Sequence, residues 1–252
     1  MKNEDAKQHH YGELGSDYFW FSGHFALARM LLGRFSGRSA KCLLNIGCGP
    51  NEFSPPDSYA TVIGADFSFE ACRIARSGNP QTFYVCCDAQ HLPFREECAA
   101  AVVALEILEH CEDDARAVEE FRRVVDKEGI VLVSVPAYRL LWGSHDVWNR
   151  HFRRYRAGAV RALAVANRLS VRYLTYYKTA FVLPLFIVRK IKTVISPGGS
   201  SHDFFPVPLF VNRLLGKYLY CEAMAARIIP LPAGVSLFAV MTRDDRDRHA
   251  PR

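Results

Sequence analysis

Two glutamates and a histidine follow the apolar run AAAVVAL at residues 99–105, in the pattern E-x-x-E-H. Glu106, Glu109 and His110 would each cost free energy at the end of a buried strand unless solvated, paired or bound. If the chain turns helical at Glu106, the three side chains share one face. Two carboxylates and an imidazole can hold a divalent metal ion, which would lower the pKa of a bound hydroxyl. The alternative, which we favour from the sequence, is a metal-free pocket in a wet cleft.

A second group surrounds the turn GCGPN, which follows the apolar segment KCLLNI. Gly47 and Gly49 allow backbone N–H groups to approach a ligand closely at the carboxyl end of a parallel strand. Asp66 comes about 20 residues later, where a carboxylate can accept hydrogen bonds from both hydroxyls of a ribose. Asp88 ends the next apolar segment, where it can accept a hydrogen bond from an adenine amino group. The dinucleotide motif G-x-G-x-x-G is not met, because Glu52 occupies its third glycine position.

A third group lies in the segment AYRLLWGSHDVWNRHFRRY, residues 137–155, which is aromatic and basic and has no clean period. The segment is long for a connection, and long connections are usually functional or disordered. An acceptor group that must lose a proton needs a base nearby. The candidate bases are His110, His145, Asp146, His151 and Glu109.

The elements that would position these groups alternate along the chain. Strands are predicted at 41–46, 60–66, 82–88, 99–106, 129–136, 171–178 and 232–242. Helices are predicted at 18–35, 68–76, 112–126 and 156–170, with further apolar helices in an insertion at 180–230. This alternation predicts an α/β fold whose parallel sheet is covered on both faces and carries all three groups at its carboxyl edge.

Composition limits the class of protein. The 252 residues, half of them hydrophobic, fit a single domain over 1–252, with 1–15 and 243–252 disordered. Residues 150–252 hold 18 Lys and Arg against 5 Asp and Glu, which suggests an anionic partner: phosphate, nucleic acid or a membrane surface. We predict a cytoplasmic protein with reduced cysteines, because no signal-peptide segment or C-x-x-C pair is visible.

Four segments, LLNIGCGPN, VIGADFS, CCDAQHLPF and AVVALEILEH, resemble in this order the motifs of class I S-adenosylmethionine-dependent methyltransferases. The resemblance implies a Rossmann-like, doubly wound, seven-stranded sheet, mostly parallel with one antiparallel strand, and a helical insertion before the last strand. It implies S-adenosylmethionine as cofactor, with these binding residues: Asn45, Gly47, Cys48, Gly49, Asp66, Phe67, Asp88, Ala89 and Glu106. Two positions depart from the pattern, since Asn45 replaces the usual aspartate and Asn51 a usual glycine.

Two narrower resemblances concern the acceptor. The E-x-x-E-H pattern resembles that of ubiquinone-biosynthesis O-methyltransferases and small-RNA 2′-O-methyltransferases, which implies the metal candidates Glu106, Glu109, His110 and His151. The segment WGSHDVWNRHFRRY resembles methyltransferases of cell-surface glycan and lipid-linked sugar gene clusters. That resemblance implies acceptor binding by Glu109, Arg153, Arg154 and Tyr155. The arginines suit a phosphate or carboxylate, and the alternative for them is pairing with the acids of 112–126.

These observations predict an O-methyltransferase acting on a small-molecule, sugar or lipid-linked acceptor. RNA 2′-O-methylation is the second prediction, less favoured because no RNA-binding module is recognisable. A non-catalytic protein on the same fold is the third. The insertion 180–230 is predicted to be a cap or a dimer contact, with peripheral membrane contact as the alternative. The sequence does not predict the oligomeric state.

Overall fold

The computed structural model describes residues 17–37, 42–50, 53–195 and 207–244. Seven strands form one sheet: β1 (Cys42–Ile46), β2 (Thr61–Asp66), β3 (Phe83–Cys86), β4 (Ala99–Leu105), β5 (Val125–Pro136), β6 (Leu169–Tyr177) and β7 (Ser236–Arg243). Their order across the sheet is β3-β2-β1-β4-β5-β7-β6. Strand β7 runs antiparallel to β5 and β6, and every other pair is parallel. The predicted mixed sheet is confirmed.

Seven helices connect or cover the strands within the described residues: α1 (Phe19–Phe35), α2 (Phe69–Gly78), α3 (Asp114–Val124), α4 (Ser144–Asn149), α5 (Ala157–Ala166), α6 (Val182–Ile195) and α7 (Leu209–Ala226). The insertion predicted at 180–230 contains α6 and α7, and its residues 196–206 lie outside the described part. Asn51, the predicted disordered start and most of the predicted disordered end also lie outside it. No described helix is both long and apolar enough to cross a lipid bilayer.

Two apolar cores lie on the two faces of the sheet. One core joins α1 and α7 to the sheet through Leu27, Leu31 and Leu219. The other joins α3 and α5 through Phe121 and Val160. Strands β4 and β5 are buried along most of their length, as expected for parallel strands covered by helices on both faces.

The strand register brings the predicted site residues to one edge. Ile46 of β1 pairs with Ala65 of β2 and with Ala104 of β4. The next residues along these three strands carry the glycine turn, the β2 aspartate and the E-x-x-E-H pattern. Open sheets of this kind bind ligands outside the carboxyl ends of their strands.

Candidate active site

The glycine turn after β1 is held in a conformation that requires glycine. Gly47 and Gly49 have φ angles of +70° and +56°, in the left-handed region. The Gly47 N–H donates to the carbonyl of Ala65, at 2.7 Å. A Cβ atom at Gly47 would lie 1.8 Å from Cδ1 of Ile107, so the turn after β4 packs directly on this glycine. The two turns therefore form one wall of the site.

Asp66, at the end of β2, faces the glycine turn. Its Oδ2 accepts from the Gly49 N–H at 2.9 Å, and its Oδ1 accepts from the Ser68 N–H at 2.8 Å. Burial raises the pKa of Asp66, while these two backbone donors act to lower it. An ionised carboxylate has about four lone-pair positions, so each oxygen can accept a further bond. The neighbouring Phe67 side chain is 77% exposed and can cover a planar ligand.

Asp88 and Ala89 lie two and three residues beyond the end of β3. Asp88 Oδ1 accepts from the backbone N–H of Gln90 at 2.8 Å. Nε2 of Gln90 also donates to this partly exposed carboxylate, and Nδ1 of His91 lies 3.8 Å from its Oδ2. The order glycine turn, Asp66 and Asp88 therefore follows three neighbouring strands, β1, β2 and β3, across the sheet edge.

Glu106 follows β4 with a φ of +57°, an uncommon conformation for a residue other than glycine. Its N–H donates to the carbonyl of Ser134 at 2.9 Å, which ties the turn to the end of β5. Its Oε1 is buried, has no hydrogen-bond partner, and lies 3.7 Å from Nε2 of His24. The helix that would have placed Glu106, Glu109 and His110 on one face does not form: the left-handed residue is followed by a single 3₁₀ turn at Leu108–His110.

A buried basic pair, His24 and Lys178, stands beside Glu106. Nζ of Lys178 lies 3.2 Å from Nδ1 of His24 and 3.8 Å from the centre of the Trp20 ring. When Lys178 is protonated it can only donate to Nδ1, and His24 then carries its proton on Nε2, 2.8 Å from Oγ of Ser134. Burial lowers the pKa of Lys178 to about 7 and also lowers that of His24. Sequence reasoning missed both residues, since a lone histidine in an apolar helix and a lysine after a strand carry no motif.

Glu109 is the most unusual carboxylate of the site. Its side chain is fully buried, and neither carboxylate oxygen has a hydrogen-bond partner. Burial raises the pKa of Glu109, and the nearby Glu106 raises it further. One ligand atom each from Glu109, His110 and His151 lies within 4.8 Å of the others. Three of the four predicted metal candidates therefore cluster, and Glu106 is not part of this group. Because Glu109 is fully buried, it does not face the wet cleft that we expected.

His151 is oriented by a buried carboxylate. Its Nδ1 lies 2.9 Å from Oδ1 of Asp146, which leaves Nε2 for another partner. Asp146 is completely buried and also accepts from Nε of Arg154 at 2.7 Å, while Nη1 of Arg189 lies 3.5 Å away. Despite burial, His151 and the two guanidinium groups hold the pKa of Asp146 well below its usual range.

Several of the predicted catalytic and acceptor-binding residues have partners within the protein. Asp146 is completely buried, and its oxygens lie against His151, Arg154 and the Gly143 N–H. Arg154 is buried and occupied by Asp146, and the Tyr155 hydroxyl donates to Asp114 at 2.7 Å. Nη1 of Arg153 lies 2.9 Å from Oδ1 of Asp114. This ion pair agrees with the alternative expectation, in which the arginines pair with the acids of residues 112–126.

The remaining histidines stand close together at the surface of the site. The ring of the exposed His110 packs edge-on to His151 with 4.6 Å between centroids. The His145 ring centre is 6.2 Å from that of His151, and His145 Nε2 lies 2.9 Å from Nδ2 of Asn149. The three imidazoles therefore converge beside Glu109.

Part of the chain is similar to proteins of a known family. Residues 44–133 match the family described as "Methyltransferase domain". A Mycobacterium tuberculosis protein named "Probable S-adenosylmethionine-dependent methyltransferase" is 30% identical over 128 residues, which are 49% of this chain and 45% of that protein. Residues 44–133 therefore match a methyltransferase domain, which confirms the predicted resemblance to class I S-adenosylmethionine-dependent methyltransferases. The matched segment contains the glycine turn, Asp66, Asp88 and the E-x-x-E-H pattern.

Other proteins similar to this chain carry names that indicate different activities. An Arabidopsis thaliana "tRNA (carboxymethyluridine(34)-5-O)-methyltransferase" is 31% identical over 100 residues, 38% of this chain and 24% of that protein. Among solved structures, the cyclase SpnF (TM-score 0.55, 16% identity) covers 87% of this chain and 80% of its own. The Synechocystis magnesium protoporphyrin IX methyltransferase with bound S-adenosylmethionine (TM-score 0.50, 14% identity) covers 88% and 81%. At these identities the structures show the fold alone, and the chain spans less than half the length of the two curated relatives.

The residues at the sheet edge fit S-adenosylmethionine, the cofactor that the matched relatives are named for. Gly47 must be glycine because Ile107 fills the space that a Cβ atom would need, and its left-handed backbone turns the chain at the carboxyl end of β1. Asp66 keeps acceptor positions for ribose hydroxyls, and the exposed Phe67 ring stands next to it. Asn45 is buried beneath the glycine turn, where it retains hydrogen-bonding capacity without a charge.

Proposed function

We propose that this protein is an S-adenosylmethionine-dependent methyltransferase that methylates an oxygen atom of a small-molecule, sugar or lipid-linked acceptor. The observation that carries the proposal is the fully buried, unpartnered Glu109 beside His110 and His151, at the same sheet edge as the glycine turn and Asp66. When bound, S-adenosylmethionine supplies a methyl group activated on a sulfonium sulfur. The protein then has to orient the acceptor and accept its proton.

Residues of this chain divide those tasks. We assign cofactor binding to Asn45, Gly47, Cys48, Gly49, Asp66, Phe67, Asp88, Ala89 and Glu106. In a metal-free pocket, His110, which is exposed, and His151, which Asp146 orients, are the candidate proton acceptors. Neutral imidazole is a suitable base at neutral pH because its unperturbed pKa is about 6.5.

We propose in addition that Glu109, His110 and His151 bind a divalent metal ion. An ionised carboxylate without a partner is costly in a protein interior, and a metal ion would remove that cost. A histidine ligand whose second nitrogen bonds to a carboxylate is a common arrangement at metal sites, and His151 with Asp146 has this geometry. The competing arrangement is a protonated Glu109 in a metal-free pocket.

Calorimetric titration of chelator-treated protein with Mn²⁺, Zn²⁺ and Mg²⁺ separates the two arrangements. We expect binding by the wild type, and in Glu109→Gln and His151→Asn a loss of affinity larger than the roughly 10–100-fold that removal of an outer-shell partner costs. His145→Asn is the matched control, because it removes a neighbouring imidazole that lies outside the cluster, and it should bind normally. Absence of binding at millimolar metal, or an equal loss in the control, would establish the metal-free pocket.

The methyl transfer itself is tested with labelled S-adenosylmethionine and cell extracts. Label should enter an organic acceptor, and Glu109→Gln should remove this incorporation while leaving cofactor binding intact. Cofactor binding without incorporation into any fraction would support a non-catalytic protein. The SpnF structure illustrates that one fold serves different functions.

A methyltransferase acting on RNA is the second candidate. The Arabidopsis relative is named as a tRNA methyltransferase, and residues 150–252 hold 18 basic against 5 acidic side chains. A protein that neutralises several phosphates loses about 10³–10⁵ in affinity between 50 and 200 mM salt. Weak, salt-insensitive binding of tRNA would reject this candidate without affecting the first.

A further inference from the structure

Helix α6 turns an apolar stripe toward solvent. Leu183, Ile187 and Ile191 are spaced four residues apart, so they share one side of the helix. Together with Val188 they are between 46% and 65% exposed. A surface helix of a globular protein normally buries its apolar stripe, so this arrangement requires an explanation.

Helix α7 shows the same feature in a stronger form. Its inner side, with Leu219, Ala223 and Ala226, is fully buried. Its outer side carries Phe210, Leu214, Tyr218 and Met224, which are between 41% and 76% exposed. Apolar side chains therefore lie on both the inner and the outer side of α7, whereas a surface helix normally buries its apolar residues.

The start of α6 lies near the middle of α7. The ring of Phe181, just before α6, is 6.3 Å from that of Tyr218 in the middle of α7. The same Phe181 ring stacks at 6.0 Å on Phe19 of α1, which anchors this corner to the body of the protein. We call the exposed apolar residues of α6 and α7 the apolar face: Leu183, Ile187, Val188, Ile191, Phe210, Leu214, Tyr218 and Met224.

Positive charge accompanies the apolar face. Helices α6 and α7 hold five lysines and arginines and one acid, Glu222. Lys190, Arg213 and Lys217 are exposed, whereas Glu222 is partly buried and accepts from the backbone N–H of Thr179 at 2.8 Å. Exposed basic residues beside an exposed apolar stripe are the pattern of helices that bind anionic lipid surfaces.

We propose that α6 and α7 dock on an anionic membrane surface through the apolar face. A second copy of this chain is a poorer occupant, because a two-fold contact would bring Lys190, Arg213 and Lys217 against the same basic residues. RNA would match the charge but leave the apolar side chains without a partner.

Docking at this face would place lipid next to the acceptor end of the site. Arg189 points inward from α6, donates to the carbonyl of Leu141, and lies 3.5 Å from the Asp146 that orients His151. The consequence that the acceptor is lipid-linked rests on the proposed function. The docking itself does not, since it depends only on the surface of α6 and α7.

Sedimentation with lipid vesicles tests the proposal. We expect the full-length protein to bind vesicles of phosphatidylcholine and phosphatidylglycerol, and to bind pure phosphatidylcholine vesicles at least tenfold more weakly. Binding should weaken between 0.1 and 0.5 M NaCl, because surface attraction is screened by salt. Phe210→Glu/Leu214→Glu and Ile187→Glu/Ile191→Glu should each lower the affinity at least tenfold.

Phe83→Glu is the matched control, since this exposed phenylalanine lies on β3 at the opposite edge of the sheet. A charge-neutralised variant, Lys190→Gln/Arg213→Gln/Lys217→Gln, provides a second test if the apolar variants fold poorly. Retained cofactor binding in each variant separates failure of docking from failure of the proposed function. Three results would overturn the proposal: absence of vesicle binding, a wild-type dimer that the same variants dissociate, or tRNA binding at these basic residues without lipid binding.

Discussion

Gly47 shows how one residue sets the geometry of the cofactor side. Its φ of +70° and the 1.8 Å approach of Ile107 exclude a side chain. We expect Gly47→Ala to lower the free energy of unfolding by about 1–3 kcal/mol and to abolish S-adenosylmethionine binding in calorimetry. Gly33→Ala, in the exposed part of α1 with open space around it, should be neutral or stabilising by up to about 1 kcal/mol. Equal effects of the two substitutions would contradict this account.

Lys178 gives the stability of the protein a specific pH dependence. Burial lowers its pKa from 10.5 to about 7 in the folded protein. Between these values the unfolded chain binds more protons than the folded one, so stability rises with pH. Relative to Lys178→Met, the wild type should gain up to about 1.4 kcal/mol per pH unit between pH 7 and 9. Urea unfolding of both proteins across this range measures the difference, and parallel curves would show that Lys178 keeps an ordinary pKa.

At the scale of elements, the inward-pointing guanidinium of Arg189 connects α6 to the segment that carries Leu141 and Asp146. Arg189→Met would remove the donor to Leu141 and one of the positive charges around Asp146. We expect a loss of about 1–3 kcal/mol in the free energy of unfolding, because the buried groups that it contacts lose a partner. Lys190→Met, one residue further on the exposed side, should change stability by less than about 0.5 kcal/mol. Denaturant unfolding of the two variants decides.

The elements themselves were largely predictable, and the contacts between them were not. Apolar segments of strand length alternate with amphipathic helices, which indicates the sheet, and Gly47 and Asp66 sit where such sheets bind ligands. The pair of Lys178 and His24 joins residues 154 positions apart, and no local pattern reports such a contact. The left-handed turn at Glu106 could not be predicted for another reason. The spacing E-x-x-E-H is compatible both with a helix and with a single 3₁₀ turn.

For the whole molecule, cofactor binding should increase the free energy of unfolding. A ligand that binds only the folded state at 100 times its dissociation constant adds about 2.7 kcal/mol, which is about 5–10 °C in Tm for a chain of this size. We expect S-adenosylmethionine or its demethylated product to raise the Tm by this amount. Asp66→Ala should remove the shift, and Glu128→Ala, at an exposed position before the main run of β5, should retain it. An unchanged Tm in the wild type at millimolar cofactor would argue against the cofactor site.

The position of β7 between β5 and β6 also determines when the sheet can be completed during synthesis. Val131 of β5 pairs with Met241 of β7, 110 residues later, and β6 joins the sheet only through β7. Until Ser236–Arg243 has left the ribosome, β5 and β6 each present an unpaired edge to other chains. Pairings this distant along the chain form slowly, and their open intermediates are prone to aggregate. During synthesis the protein therefore passes through a long interval in which its own strands do not yet protect the centre of the sheet.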